Sequence, residues 1–173
     1  MPSAAASAPA PLPAALRQVT LFSDGACKGN PGPGGWGYIL RDLASGKEVE
    51  GCGGASRTTN NRMELRAVIH GLEMLKTPCA VKIVSDSQYV LKGLSEWMPG
   101  WKRKNWFKDA KRTEPVKNAD LWRKLDALQQ THRLDFHWVR GHRGHDENER
   151  CDVLACQAAE KAVRDGLAAD LEV

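Results

Sequence analysis

The sequence predicts an α/β fold in which a five-stranded mixed sheet is flanked by helices. Short β-branched and aromatic runs alternate with amphipathic helical patterns along the chain. They follow one another in the order β-β-β-α-β-α-α-β-α. Three strands without an intervening helix favour an antiparallel meander. A helical crossover then makes the fourth strand run parallel to the first.

The first half of the chain supplies three strands and a helix. The strands are predicted over residues 19–23, 35–40 and 49–55, and the first of them ends in a turn at Asp24 and Gly25. A helix is predicted to begin at Asn61 and to end before Pro78. Apolar residues at helical spacing mark its buried face: Leu65, Val68, Ile69, Leu72 and Leu75.

The second half begins with a strand over residues 81–85, which ends at the acid Asp86. A helix over 87–98 is predicted to break at Pro99 and Gly100. An irregular basic segment, an amphipathic helix over 118–130, a fifth strand over 134–139, a loop rich in Gly and His, and a last helix over 147–164 complete the chain. Ligands of such sheets bind at the carboxyl ends of the strands.

At 173 residues the chain is long enough for one domain with its own core. We expect a disordered Ala/Pro-rich tail over 1–17, one folded domain over 18–165 with a basic protrusion over 101–117, and a frayed end over 166–173. The first residues lack the basic and apolar regions of a secretory signal. Five cysteines without a C-x-x-C pair indicate reduced thiols in a cytoplasmic protein.

Four acids lie in four separate motifs, each where a strand ends or a helix begins: Asp24, Glu64, Asp86 and Asp152. Because buried like charges repel, carboxylates gathered in one place indicate a divalent metal ion. If the strands that end at Asp24 and Asp86 are neighbours, these carboxylates lie about one strand spacing, ~5 Å, apart. A structural alternative remains for two of them, because Glu64 fits a capping box led by Asn61 and Asp86 fits a helix cap.

Two further segments carry polar groups suited to a nucleic acid. Residues 58–62 place hydroxyls, amides and the guanidinium of Arg62 at a helix start, where phosphates bind well. Residues 25–37 hold six glycines, which either turn a hairpin or let a ligand backbone approach closely.

The last motif, residues 139–152, combines a mobile histidine with a helix start. His142 lies beside Gly141 and suits proton shuttling near metal-bound carboxylates, whereas His145 fits an ordinary solvated loop. Asp146 with Glu149 fits a capping box. Asp152 falls in the second turn among apolar residues, so we expect it to be buried and to need a partner.

The protrusion is the most basic part of the chain. Residues 102–117 hold seven basic and two acidic side chains, a net charge of +5, against +4 for the whole chain. Interleaved Trp101, Trp106 and Phe107 favour a nucleic-acid cradle of cations and aromatic rings over a merely solvated face.

These motifs together resemble ribonuclease H of the bacterial type 1 kind, over about residues 18–160. The matching segments are D-G-x-C-x-G-N-P-G-P-G-G, T-T-N-N-R-M-E-L, S-D-S-Q-Y-V, the Trp- and Lys-rich protrusion, and G-H-x-G-H-x-x-N-E-R-C-D. The resemblance implies a ribonuclease H-like fold in which Asp24, Glu64, Asp86 and Asp152 hold two Mg²⁺ ions, with Mn²⁺ as a substitute. It also implies that His142 assists proton transfer or product release.

The substrate implied by the resemblance is an RNA–DNA hybrid whose RNA strand is cut internally, giving 5′-phosphate and 3′-hydroxyl products. The substrate-binding positions implied by the resemblance and the basic protrusion are Asn30, Thr59, Asn60, Asn61, Gln88, Trp97, Trp101, Lys102, Arg103, Lys104 and Trp106. Pro99 and Gly100 depart from the bulkier pair usual before the Trp101 position. We expect a monomer. A non-catalytic hybrid-binding protein and a DNA nuclease of the same fold are the alternatives.

Overall fold

Five strands form one mixed sheet in the computed structural model, which describes residues 15–141 and 145–172. They are β1 (Arg17–Cys27), β2 (Gly32–Asp42), β3 (Glu48–Thr58), β4 (Cys79–Ser85) and β5 (Arg133–Trp138), in the spatial order β3-β2-β1-β4-β5. The first three pair antiparallel, whereas β4 runs parallel to β1 and β5 parallel to β4. The predicted fold class is therefore confirmed.

The helices are α1 (Asn60–Glu73), α2 (Gln88–Lys92), α3 (Met98–Arg103), α4 (Ala119–Thr131) and α5 (Asp146–Arg164). A π-helical turn, Gly93–Trp97, joins α2 to α3, so the predicted break at Pro99 and Gly100 is wrong. Pro99 is tolerated because it lies in the first turn of α3. No helix within 15–141 or 145–172 is long and apolar enough to span a membrane.

Alternating side chains of the strands fill two cores on opposite faces of the sheet. Leu21 belongs to the larger core, which α1 and α4 complete with residues such as Leu65 and Trp122. Phe22 belongs to the smaller core, which Cys151 of α5 completes. The sheet is therefore covered on both faces, and its strand ends are left for a site.

The strands β1 and β2 extend through the glycine-rich motif, which was predicted to be mostly loop. Asp24 lies inside β1 and pairs with Gly37 of β2. A Cβ atom on Gly35 would lie 2.1 Å from the carbonyl oxygen of Ala155, and one on Gly37 would lie 2.7 Å from that of Cys151. These glycines allow α5 to approach the sheet, so the close approach is made by a helix rather than by a ligand.

The described end of the chain, residues 166–172, packs against the domain instead of fraying. The amide of Ser56 donates to the carbonyl of Ala168 over 3.2 Å. In the opposite direction, the amide of Asp170 donates to the carbonyl of Arg57 over 2.9 Å. These bonds continue the edge of β3. The predicted frayed segment is corrected here, because Asp170 pairs with Arg62 and Arg66 on α1, and local composition could not reveal partners so distant in sequence.

Candidate active site

Three acids from three elements converge at one end of the sheet. Asp24 comes from β1, Glu64 from α1, and Asp86 follows β4 directly. Each offers an oxygen atom, and these atoms lie within 4.8 Å of one another. Asp152, in the second turn of α5, joins them through a hydrogen bond and a repulsive charge that both act on Asp24. All four predicted acids are therefore brought together.

Gly25 makes the contact between the first two acids possible. A Cβ atom on this residue would lie 2.5 Å from the backbone nitrogen of Glu64 and 2.6 Å from the carbonyl carbon of Met63. Any larger residue would separate β1 from α1 and would draw Asp24 away from Glu64. The glycine after the first acid is thus a packing requirement of the site.

Burial dominates the electrostatics of the inner pair. Asp24 is 3% exposed and Glu64 is 5% exposed. Desolvation, with the charges of Asp86 and Asp152 next in importance, raises the pKa of Asp24 to about 8. Desolvation and then the charge of Asp24 raise the pKa of Glu64 well above its usual value, and the Gly25 amide offsets only part of this rise.

This donor set fits a hard divalent cation. Among the described residues, no hydrogen-bond partner contacts the buried Oε2 atom of Glu64. A cation would favour the ionised form of each carboxylate and would remove the repulsion that raises their pKa values. Carboxylate oxygens without nitrogen or sulfur ligands suit Mg²⁺ or Mn²⁺. Three of the carboxylates that the sequence predicted as metal ligands therefore lie close enough together to bind such a cation.

The capping alternatives fail for Glu64 and Asp86. Thr59 caps α1, because its Oγ1 atom accepts from the amide of Arg62 over 3.3 Å. Ser87 caps α2 in the same way, by accepting from the amide of Val90 over 3.3 Å. Neither acid serves as a cap, so helix termination does not explain the presence of either one.

Two sequence interpretations of α5 are wrong. His145 occupies the N-cap position without a side-chain capping bond, and Asp146 lies inside the helix, so the predicted box of Asp146 and Glu149 does not form. Asp152 is half-buried rather than buried. It interacts with Asp24 from α5, and apolar neighbours in sequence do not determine how deeply such a side chain is buried.

Arg62 is not the free guanidinium that the sequence indicates. It is 2% exposed, and it donates to both carboxylate oxygens of Asp120 over 2.9 and 2.8 Å and to Asp170 over 2.9 Å. Arg66 donates to the same Asp170 over 2.9 Å. These bonds join α1, α4 and the chain end, so Arg62 has a structural role.

The predicted hybrid contacts at the start of α1 lie beside Glu64. Asn30 accepts a bond from the backbone amide of Asn60 over 2.9 Å, which ties the β1–β2 turn to the helix. Asn30 and Asn61 are exposed, as is Gln88 at the start of α2, whereas Thr59 and Asn60 are half-buried. Exposed amides therefore lie within three residues of Glu64 on α1 and of Asp86 before α2.

The protrusion contains an aromatic cluster that is partly core. Trp101 lies between Trp97 and Trp122, with ring centroids 5.8 and 5.2 Å apart. Trp106 lies 5.6 Å from the guanidinium carbon of Arg123, a contact that the sequence did not suggest. Trp101 and Trp106 are half-buried, while Trp97 is 36% exposed.

The basic residues of the protrusion differ in the contacts that their side chains make. The ammonium of Lys102 lies 3.0 Å from Asp126, and that of Lys104 donates to the carbonyl of Lys108 over 3.2 Å. Arg103 is exposed. The predicted loop histidine, His142, lies outside the described residues.

The sequence did not predict a role for two residues that bind the backbone near Asp86. The indole nitrogen of Trp138 donates to the backbone carbonyl of Asp86 over 3.1 Å. The hydroxyl of Ser85 accepts from the amide of Ser87 over 3.0 Å. A hydrogen bond from a side chain to the backbone produces no recognisable pattern in the sequence. For Ser85, the one available signal was the Ser-Asp dipeptide, which occurs at the end of two predicted strands.

Comparison with known proteins identifies the family. The model of the RNase H family matches residues 16–160. A ribonuclease H of Cupriavidus necator is 56% identical over 86% of this chain and 100% of its own length, and that of Cupriavidus metallidurans is 60% identical over 81% of this chain and 94% of its own.

Solved structures agree with this assignment. LC9-RNase H1, a type 1 enzyme with the type 2 active-site motif, is 29% identical, with a TM-score of 0.75 over 86% of this chain and 74% of its own. LC11-RNase H1, solved in complex with an RNA/DNA hybrid, shares the fold at 23% identity, with a TM-score of 0.61 over 84% of this chain and 99% of its own. The chain belongs to the ribonuclease H family.

Proposed function

We propose that this protein is an endoribonuclease that hydrolyses the RNA strand of RNA–DNA hybrids and leaves 5′-phosphate and 3′-hydroxyl ends. The observation that carries the proposal is the convergence of Asp24, Glu64 and Asp86 within 4.8 Å, with two of these acids buried. The family assignment and the hybrid bound to LC11-RNase H1 support this substrate class.

Two Mg²⁺ ions are the proposed cofactors, with Mn²⁺ as a substitute. Asp24, Glu64, Asp86 and Asp152 are the residues that would hold them. When bound, the pair of metal ions supplies an activated water and neutralises charge on the leaving 3′-oxygen. The chain itself contributes a set of acids from separate elements, two of them anchored in the core. His142 is proposed to move a proton at the leaving group or to aid product release.

The exposed amides and the protrusion would recognise the hybrid. Asn30, Asn60, Asn61 and Gln88 suit the minor groove, where 2′-hydroxyls and base edges are accessible. Thr59 is proposed at a phosphate of the DNA strand, and its hydroxyl also caps α1. The remaining contacts to the DNA strand would come from Trp97, Trp101, Lys102, Arg103, Lys104 and Trp106. The single chain supplies every proposed ligand, which is consistent with a monomer.

End-labelled RNA paired to DNA tests this proposal, with RNA–RNA and DNA–DNA duplexes beside it. We expect internal cleavage of only the RNA in the hybrid, with Mg²⁺ and not with EDTA. Glu64→Gln should abolish cleavage and retain hybrid binding, while Glu160→Gln at a surface ion pair should change neither. Tight hybrid binding without cleavage would establish the binding-only alternative, and cleavage of the DNA duplex would establish the DNA nuclease.

A further inference from the structure

Asp86 lies just beyond the hydrogen-bond ladders that hold its neighbours. The last residue pair between β1 and β4 is Phe22 with Val84, and the last between β4 and β5 is Ser85 with Trp138. The amide of Val139 donates to the carbonyl of Ser85 over 3.0 Å, one residue before Asp86. The backbone of Asp86 therefore takes its position from something other than strand pairing.

Two side chains hold the peptide group between Asp86 and Ser87 from both ends. Its N–H donates to the hydroxyl of Ser85 over 3.0 Å, and its carbonyl accepts from the indole of Trp138 over 3.1 Å. The N–H and C=O of a planar peptide point in opposite directions, so two such bonds fix the plane. Ser85 is completely buried, which gives the clamp a rigid base.

The exposure of Trp138 indicates that packing alone does not explain this residue. Its side chain is 45% exposed at the end of the outermost parallel strand. Almost half of this residue stays in contact with solvent, whereas its indole N–H forms a directed bond to the backbone of a proposed metal ligand. The bond, rather than the apolar surface, distinguishes this residue from other exposed apolar side chains such as Leu43.

We propose that Trp138 is a positioning residue for the ribonuclease reaction, which acts with Ser85 by fixing the Asp86–Ser87 peptide and so the direction of the Asp86 carboxylate. This inference rests on the proposed function, because it assumes that Asp86 is a metal ligand. It assigns Trp138 a role through the protein backbone and not through contact with the hybrid.

A matched pair of variants separates the bond from the ring. Trp138→Phe keeps an aromatic ring and loses the N–H donor. Trp138→His places a ring N–H at the same number of bonds from Cβ, and at about pH 8 its imidazole is neutral with one donor. Trp36→Phe is the control, because Trp36 lies in β2, which pairs with neither β4 nor β5, and its ring stacks on that of His70 with centroids 4.1 Å apart.

The first measurement is hydrogen exchange of the Ser87 amide in metal-free protein, together with Mg²⁺ affinity by calorimetry. Losing one hydrogen bond should speed exchange and weaken Mg²⁺ binding by about fivefold in Trp138→Phe. Trp138→His should recover most of both effects, and Trp36→Phe should match the wild type. Unchanged exchange at Ser87 in Trp138→Phe would overturn the inference.

The second measurement is the kinetics of hybrid cleavage. We expect Trp138→Phe to lower kcat and raise the Mg²⁺ requirement, with KM for the hybrid nearly constant. Equal rises of KM in the Phe and His variants would overturn the inference and make the ring a substrate contact. If the wild type cleaves no hybrid, the proposed function fails by itself, whereas the exchange of Ser87 still decides whether the clamp exists.

Discussion

Two Ser-Asp dipeptides on neighbouring strands, Ser23-Asp24 and Ser85-Asp86, look alike in sequence and are held in different ways. Asp24 is fixed inside β1 by its pairing with Gly37, and it is buried. Asp86 lies beyond the ladders and is half-buried, so side-chain bonds fix it. Within the described residues the buried hydroxyl of Ser23 has no hydrogen-bond partner, whereas that of Ser85 accepts one.

This difference divides the acid cluster into a buried half and an accessible half. Asp24 and Glu64 lie in the core, where burial raises the pKa of each carboxyl. Asp86 and Asp152 are half-buried and so remain partly accessible to solvent. The buried half holds a site whose charge requires a cation, and the accessible half is placed to face the substrate.

The largest expected effect follows from removing a charge in the buried half. Asp24→Asn should reduce hybrid cleavage by a factor on the order of a thousand, because a buried metal ligand is lost. The same change should raise the melting temperature of the metal-free protein, since a repelled carboxylate is removed. Initial rates and thermal unfolding in EDTA measure the two effects, and a fall in both would show that Asp24 is mainly structural.

The pH dependence of stability should distinguish the two halves. Asp24 has a folded-state pKa of about 8, above its unfolded value of about 4, so the folded state binds more protons between these values. The contribution of Asp24 to the stability of the metal-free protein is therefore fully present below about pH 4. This contribution is lost as the pH rises through about 8. Denaturant unfolding across this range should show the decline, and Asp24→Asn should flatten it. An equal slope in the two proteins would contradict the assignment.

A smaller effect is expected in the accessible half. Asp152→Asn should lower cleavage by only about fivefold, because a half-exposed carboxylate interacts less strongly and an amide oxygen can take its place. Single-turnover rates at saturating Mg²⁺ compare this variant with Asp24→Asn. Losses of equal size in the two variants would remove the distinction between the halves.

The chain end should affect stability and not chemistry. Asp170→Asn breaks ion pairs with Arg62 and Arg66 but leaves Asp120 on Arg62, so we expect a loss of about 1–3 kcal/mol in unfolding free energy. Urea denaturation measures this loss, with Asp165→Asn at an exposed pair as the control. A large fall in kcat under conditions where the protein is folded would place the chain end in the catalytic machinery.

The smallest expected effect concerns the protrusion. Arg103→Ala should reduce the salt dependence of hybrid binding by about one unit of slope, as expected for one lost phosphate contact. Lys102→Ala should change the slope less, because Lys102 already pairs with Asp126. Binding titrations between about 50 and 200 mM salt compare the two, and the reverse order would show that Lys102 leaves Asp126 when the hybrid binds.

The sequence predicted the mixed sheet and the four acids because periodicity and repeated strand-end acids are local signals. It failed where the cause is tertiary. Gly25, Gly35 and Gly37 looked like parts of a loop, but they lie in β1 and β2, where α1 packs on Gly25 and α5 packs on the other two. Arg62 looked available for phosphate, but Asp120 and Asp170 from distant segments bind it. Trp138 carried no motif, because its bond is to a backbone carbonyl.

The titration of Asp24, followed by the carbon chemical shift of its carboxyl group with and without Mg²⁺, tests the account most directly. We predict a pKa near 8 in the metal-free protein, because the group is buried among other acids, and a fall by several units when Mg²⁺ saturates the site. A pKa near 4 that does not change with Mg²⁺ would contradict the account, since the four acids would then need no cation.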